Sequence, residues 1–258
     1  MQSPVFSGGG VLLQTRVSSN DIIRQRYLNG DYAAKNPTWD SEDAPWKAGE
    51  ALKLILAHGL APANIVEIGC GSGAALVELR RAFPQARLHG FDIAPDLARF
   101  WGVHSAANIE FKSGDFFTLS RERYDLMLVM DVIEHVPDPF DFLARLRDRA
   151  DYHLFHIPLD LSSLSVLRES PLLNVREKVG HIHYYTKGLA LALLKETGYE
   201  IVDCRYTDAA FAAPQKSFKT RLAALPRRLA YALNKDWGVR LLGGETLMVL
   251  ARPGKSAA

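Results

Sequence analysis

The stretch VEIGCGSGAAL at residues 66–76 constrains this chain more than any other. A short apolar run there meets Gly69, Gly71 and Gly73, and a helix-forming run follows. A strand that turns sharply into a helix needs glycine wherever the backbone turns left-handed or approaches a ligand closely. Such a turn opens the first strand–helix unit of a nucleotide-binding α/β sheet. The dinucleotide fingerprint is G-x-G-x-x-G, whereas here the third glycine comes one place early and Ala74 and Ala75 follow. Glu67, just ahead of the loop, is a poor neighbour for a pyrophosphate and a better one for a positively charged ligand.

Short apolar runs alternate with helical segments beyond Pro62. Strands are expected over 65–68, 87–93, 109–112, 124–130, 152–157, 199–206 and 245–251, with helices over 74–83, 95–101, 138–150 and 186–197. Apolar strands separated by helices argue for a doubly wound, mostly parallel, seven-stranded Rossmann-like α/β sheet with helices on both faces. Residues 1–60 read as a glycine-bearing leader and an N-terminal helical cover, with helices over 20–34 and 44–58. Asp43 serves as N-cap of the second, and Pro45 strengthens the start. Residues 61–258 read as the nucleotide-binding domain, with 158–185 and 208–244 as insertions on the substrate side. The second insertion is expected to be partly helical and interrupted at Pro226.

A chain of 258 residues with 48% hydrophobic and 23% charged side chains can bury a sizeable core without staples. Cys70 and Cys204 stand far apart and make no metal-binding spacing. The first 20 residues lack the pattern of a signal peptide, and no apolar run reaches membrane-spanning length. The expectation is a cytoplasmic protein without stable membrane insertion. A net charge of +2 is too mild to point to nucleic acid. The basic residues Lys216, Lys219, Arg221, Arg227, Arg228, Lys235 and Arg240, with only Asp236 against them, read first as a solvated helical face. An anionic substrate, a carrier protein or a membrane surface stays open for them.

Further features fall where this fold places the carboxyl ends of its strands. FDIAPDL puts Asp92 and Ile93 after the second strand, where a carboxylate accepts from both ribose hydroxyls. SGDFF puts Asp115 after the third, suited to an adenine amino group, with Phe116 able to cover the base and one of Phe116 and Phe117 in the core. VMDVIEHVPDP puts Asp131, Glu134 and His135 after the fourth. No Arg or Lys accompanies these acids to meet a phosphate.

With these four motifs in order, the chain resembles the class I S-adenosylmethionine-dependent methyltransferases over roughly residues 63–197. DVIEHVPDP and HIHYYT are typical of the branch that acts on small molecules. The resemblance implies S-adenosylmethionine as cofactor, with Glu67, Gly69, Gly71 and Gly73 along its methionine and ribose part. It also implies Asp92 and Ile93 on the ribose hydroxyls, Asp115 and Phe116 on the adenine, and Asp131 near the methionine amino end. DVIEHV in place of an NPPY-type motif disfavours methylation of nucleic-acid bases. The expected partner is a small-molecule acceptor methylated on oxygen or nitrogen, and a homodimer is one admissible assembly.

Methyl transfer from a sulfonium is an in-line displacement that demands alignment and exclusion of water more than a catalytic side chain. A hydroxyl or ammonium acceptor must still lose a proton. His183 is the first candidate base, then His181 and His135, because HIHYYT and EHVPDP flank the expected acceptor wall. His156, Tyr184 and Tyr185 are expected on the substrate side. Each has a bland reading beside it: a structural hydrogen bond for His135, an interior position for His156, ordinary packing for the tyrosines. Tyr27, Tyr32, Trp39 and Trp46 belong to the cover, where one or two aromatic faces would meet a sulfonium and the rest pack. The H-x-H pair with Glu134 raises the question of a metal, but no third ligand is placed by spacing and none is expected. A nicotinamide-dependent oxidoreductase and a non-catalytic S-adenosylmethionine-binding module are the rival readings.

Overall fold

The computed structural model describes residues 19–212 and 224–254. The leader and Lys216, Lys219 and Arg221 therefore lie outside the described residues. Seven strands form one sheet: β1 (Asn64–Ile68), β2 (Arg87–Asp92), β3 (Ile109–Ser113), β4 (Tyr124–Met130), β5 (Ala150–Pro158), β6 (Tyr199–Tyr206) and β7 (Thr246–Pro253). Their order is β3-β2-β1-β4-β5-β7-β6. All pairings are parallel except those of β7, which runs antiparallel to both β5 and β6.

Period-two alternation explains how each strand serves two cores. Val66, Ile68, Met127, Val129 and Phe155 point into one apolar cluster, while Ile65, Leu88, Leu126, Leu128 and Leu154 point into the other. Most are under 3% exposed, and full burial of such a side chain contributes roughly 1.5–3 kcal/mol. A one-residue slip in register would exchange the two sets, so burial on both faces fixes the pairing of Ile65 with Leu88 and Leu126.

The cover departs from the single helix expected over 20–34. It divides into α1 (Ser19–Leu28) and α2 (Asp31–Lys35) at Gly30, whose φ of 84° ends one helix and starts the next. Helix α3 (Ala44–Ala57) buries Ala44, Ala48, Ala51, Leu54 and Ile55, a stripe at helical spacing against the sheet. Asp43 holds its N-cap position, yet its side chain makes no capping hydrogen bond.

The remaining helices are α4 (Ala74–Ala82), α5 (Ala98–Trp101), α6 (Phe116–Leu119), α7 (Pro139–Arg147), α8 (Ser163–Arg168), α9 (Ser170–Lys178), α10 (Lys187–Glu196), α11 (Ala209–Ala212), α12 (Ala224–Leu233) and α13 (Lys235–Leu242). Helix α7 stops short of the expected residue 150 because Ala150 already opens β5. The first insertion holds α8, started by a Ser162–Ser165 capping box, and α9. It then returns so that the N–H groups of Ile182 and His183 both donate to the Glu134 carbonyl, at 2.9 and 3.1 Å. Pro226 is the third residue of α12 as described, and the residues before 224, on which the expected interruption turns, lie outside the described residues. Among the described residues, no helix is long and apolar enough to cross a membrane.

Candidate active site

The chain runs outward from β1 through β2 to β3, then returns to β4 on the other side of β1. At that reversal the carboxyl ends of β1 and β4 part, which is where an open α/β sheet binds ligands. A cavity of about 600 Å³ occupies the place, within the size of ordinary small-molecule sites. Its floor holds Glu67, Gly69, Gly71, Asp92, Ile93, Asp115 and Asp131, and its roof is the cover's Tyr27, Tyr32, Trp39 and Trp46.

The glycine loop divides its tasks. Gly69, Gly71 and Gly73 have φ of 72°, 50° and 81°. A Cβ on Gly69 would come within 2.5 Å of Val132, and one on Gly73 within 2.5 Å of the Phe111 ring. At Gly71 the nearest atom would be the Trp39 carbonyl oxygen at 3.8 Å, so that face is open for a ligand. Asp92 accepts from the N–H of Gly71 at 3.0 Å and of Ala94 at 2.9 Å, which locks the loop to the end of β2. Trp101, not singled out in the sequence, donates its indole N–H to the Gly71 carbonyl at 3.0 Å and stacks on Phe111.

Asp115 caps α6 by accepting from Phe117 N at 2.9 Å and faces Arg24 at 3.3 Å. Phe116 touches the cavity from inside the core, 3% exposed with its ring against Phe91. Phe117 also lines the wall, with the Arg145 guanidinium 3.7 Å over its ring.

Asp131 ends β4 with φ of 53°, a conformation aspartate tolerates better than most residues. Its carboxylate receives Lys47 from α3 at 2.7 Å and His156 Nδ1 from β5 at 2.6 Å. Burial pushes this acid up, but His156 and Lys47 outweigh it and hold it far below the usual carboxylate range. Glu67, 3% exposed, goes the other way: burial, then Asp92, push its carboxyl up to about 8. One Glu67 oxygen, Tyr27 Oη and the indole nitrogens of Trp39 and Trp46 are buried without hydrogen bonds. Groups of this kind at a cavity wall, indole donors beside a carboxyl oxygen, await a ligand that carries both hydrogen-bond acceptors and donors. Among the described residues, three lysines and arginines line the cavity, and each already faces a carboxylate: Arg24 with Asp115, Lys47 with Asp131, Arg145 with Asp141.

The histidines and tyrosines named from the sequence separate. His183 and Tyr184 do not line the cavity: His183 Nε2 donates to the Val136 carbonyl at 2.9 Å, and Tyr184 Oη donates to the Leu172 carbonyl at 3.3 Å. Tyr185 is a core residue. Of the two rings in the H-x-H run, His181 alone reaches the wall. His156 does line it, yet both its nitrogens are engaged, by Asp131 and by Thr246 Oγ1 at 2.7 Å, which leaves neither for an acceptor's proton. His135 also lines it, 4.9 Å centroid to centroid from the His181 ring. Burial, then His181, lower its pKa to about 4, so it stands neutral at physiological pH.

Sheet order and cavity are those of the class I methyltransferase fold. The chain belongs to the family whose model is described as a methyltransferase domain, matched over residues 41–203, which sets the nicotinamide reading aside. It is 30% identical over 129 residues to a ubiquinone biosynthesis O-methyltransferase of Xanthomonas oryzae pv. oryzae, covering 45% of this chain and 53% of that protein. The chain thus spans about half the length of the curated relatives it matches. The magnesium protoporphyrin IX methyltransferase of Synechocystis PCC 6803, solved with bound SAH, superposes with a TM-score of 0.59 at 15% identity, over 90% of this chain and 98% of that one. The N-methyltransferase NodS of Bradyrhizobium japonicum WM9, also with S-adenosylhomocysteine, gives 0.52 at 17% identity, over 91% and 97%. These two likenesses speak for the fold.

Proposed function

We propose that this chain transfers the methyl group of S-adenosylmethionine to an oxygen or nitrogen of a small molecule. The observation that carries this reading is the charge of the cavity: acids end four strands, and among the described residues every lining lysine and arginine already faces a carboxylate. A sulfonium with an ammonium group suits that wall, and a pyrophosphate does not. Glu67 and the glycine loop would hold the methionine and ribose part, Asp92 and Ile93 the ribose hydroxyls, Asp115 and Phe116 the adenine, and Asp131 the amino end. The carboxylates of Asp92 and Asp115 keep lone pairs beyond those used by backbone N–H groups. Bound there, the donor supplies the electrophilic methyl group, while the chain aligns the acceptor and keeps water out.

The acceptor would enter beside His135 and His181, between the cover and the insertion over 158–185. The small-molecule methyltransferases among its relatives and fold neighbours support an acceptor of that class. The test is titration calorimetry with S-adenosylmethionine, followed by incubation of labelled donor with metabolite extract. Wild-type protein should bind donor and label a small product, and Asp92→Ala should bind at least tenfold more weakly. Equal affinity in the variant would remove the ribose role, and binding without any labelled product would favour the non-catalytic rival.

A further inference from the structure

The fold brings together three groups that spacing leaves apart. Glu134 and His135 follow β4, while His181 arrives 46 residues later on the return from α9, pinned by the backbone bonds to the Glu134 carbonyl. One ligand atom from each of Glu134, His135 and His181 lies within 4.8 Å of the others. Glu134 Oε1 stands 3.9 Å from a ring nitrogen of each histidine.

A second observation is independent of that proximity. Glu134 is fully buried, and neither carboxylate oxygen accepts a hydrogen bond. His135 Nδ1 is buried without one as well. An orphaned carboxylate of this kind is costly unless a cation meets it. Lys47, which feels its charge, is held by Asp131.

The outer shell fits as well. His181 Nδ1 lies 2.6 Å from Asp160 Oδ2, so Nδ1 carries the proton and Nε2 turns its lone pair toward Glu134. A carboxylate that orients a histidine in this way is the usual support of a metal-ligating imidazole.

We infer that Glu134, His135 and His181 form a binding site for a divalent transition cation of the zinc class, with Asp160 as its positioning residue. Two imidazoles and one carboxylate are the donor set of an open zinc site, which keeps further positions for water or ligand. Metal–ligand bonds of about 2.1 Å bring ligand atoms about 3.4 Å apart in a tetrahedron. Closing 3.9 Å to that separation takes small side-chain rotations. Both histidines line the cavity, so the open positions face the acceptor side. On the methyltransferase reading, on which this site rests, the acceptor is a small molecule that presents an oxygen, such as a phenol or enol, to the cation.

The probe is Co²⁺ added to chelator-treated full-length protein, read as visible d–d absorption. One equivalent should give the bands of a low-coordinate site. Glu134→Gln and His181→Gln should weaken binding by about a hundredfold or more, and Asp160→Asn by about 10–100-fold. His58→Ala, at the exposed His58–Asp203 pair, should leave the spectrum unchanged. Circular dichroism and donor affinity, measured on each variant, separate loss of the site from loss of fold. Absence of the bands in folded wild-type protein, or bands that persist in Glu134→Gln, would overturn the site and leave Glu134 a neutral buried acid. Failure to bind S-adenosylmethionine alongside a normal Co²⁺ spectrum would instead strike the methyltransferase reading alone.

Discussion

At the scale of single residues, the floor of the cavity holds two acids with opposite fates. Asp131 stays ionised because Lys47 and His156 touch it, whereas Glu67, buried and near Asp92, is raised to about 8. The folded protein therefore holds a proton on Glu67 between its ordinary pKa and about 8 that the unfolded chain gives up. This group's stabilising contribution is complete below the ordinary carboxylate range and is lost as pH rises toward 8. A cationic donor beside it reverses the preference, so binding near pH 7 should release close to one proton. Calorimetry in buffers of different ionisation enthalpy measures that release, and Glu67→Gln should abolish it. The acids themselves were legible in the sequence, because they follow strands at the ends where ligands bind. Their partners were not: nothing in PWKAGE marks Lys47 as the counter-ion of a residue 84 positions later, nor Asp160 as the support of His181.

At the scale of elements, the loop between β1 and α4 shows why its glycines are not interchangeable. Gly73→Ala puts a Cβ into Phe111, whose ring is stacked on Trp101 and has little room to yield. Its left-handed backbone adds about 1–2 kcal/mol. The expected loss is about 2 kcal/mol or more, seen as a melting temperature lower by about 5 °C or more. Gly71→Ala carries the backbone cost without the clash, since its nearest neighbour would stand 3.8 Å away. It should melt closer to wild type and yet bind donor worse, so paired thermal melts and donor titrations separate the two roles. Strand-and-helix alternation revealed this loop and every strand. It missed the break at Gly30 and the two helices of the first insertion, since a left-handed glycine inside a polar helix and a capping box in a polar stretch leave no periodic trace. The separation of the histidine pair has a related reason. Residues 180–185 run outside any strand, so alternation does not govern where the rings of His181 and His183 turn.

At the scale of the whole molecule, a buried base contributes to the response to acid. His153 in β5 is fully buried, donates from Nε2 to the Leu146 carbonyl at 3.1 Å, leaves Nδ1 without a hydrogen bond, and packs edge-on against Tyr199. Burial lowers its pKa to about 4 from an ordinary value near 6.5. Its contribution to stability is present above about 6.5 and lost as pH falls toward about 4, on the order of 3 kcal/mol in all. Urea unfolding at neutral pH and near pH 4.5 should show a fall that is smaller in His153→Phe; equal falls would assign it to other groups. The global architecture was the most legible level, because apolar strands of that length between helices admit few sheets. The reversed direction of β7 has no mark in its own residues, since a strand buried on both faces reads the same in either orientation.

That reversed strand has a consequence for how the molecule is made. The last of the seven strands to leave the ribosome is inserted between β5 and β6, and it supplies the hydroxyl of Thr246 that steadies His156. A nascent chain halted before it would carry two open sheet edges and a half-built floor, inviting pairing with other chains. Completion of the binding pocket and closure of the gap between β5 and β6 thus arrive together, with one strand.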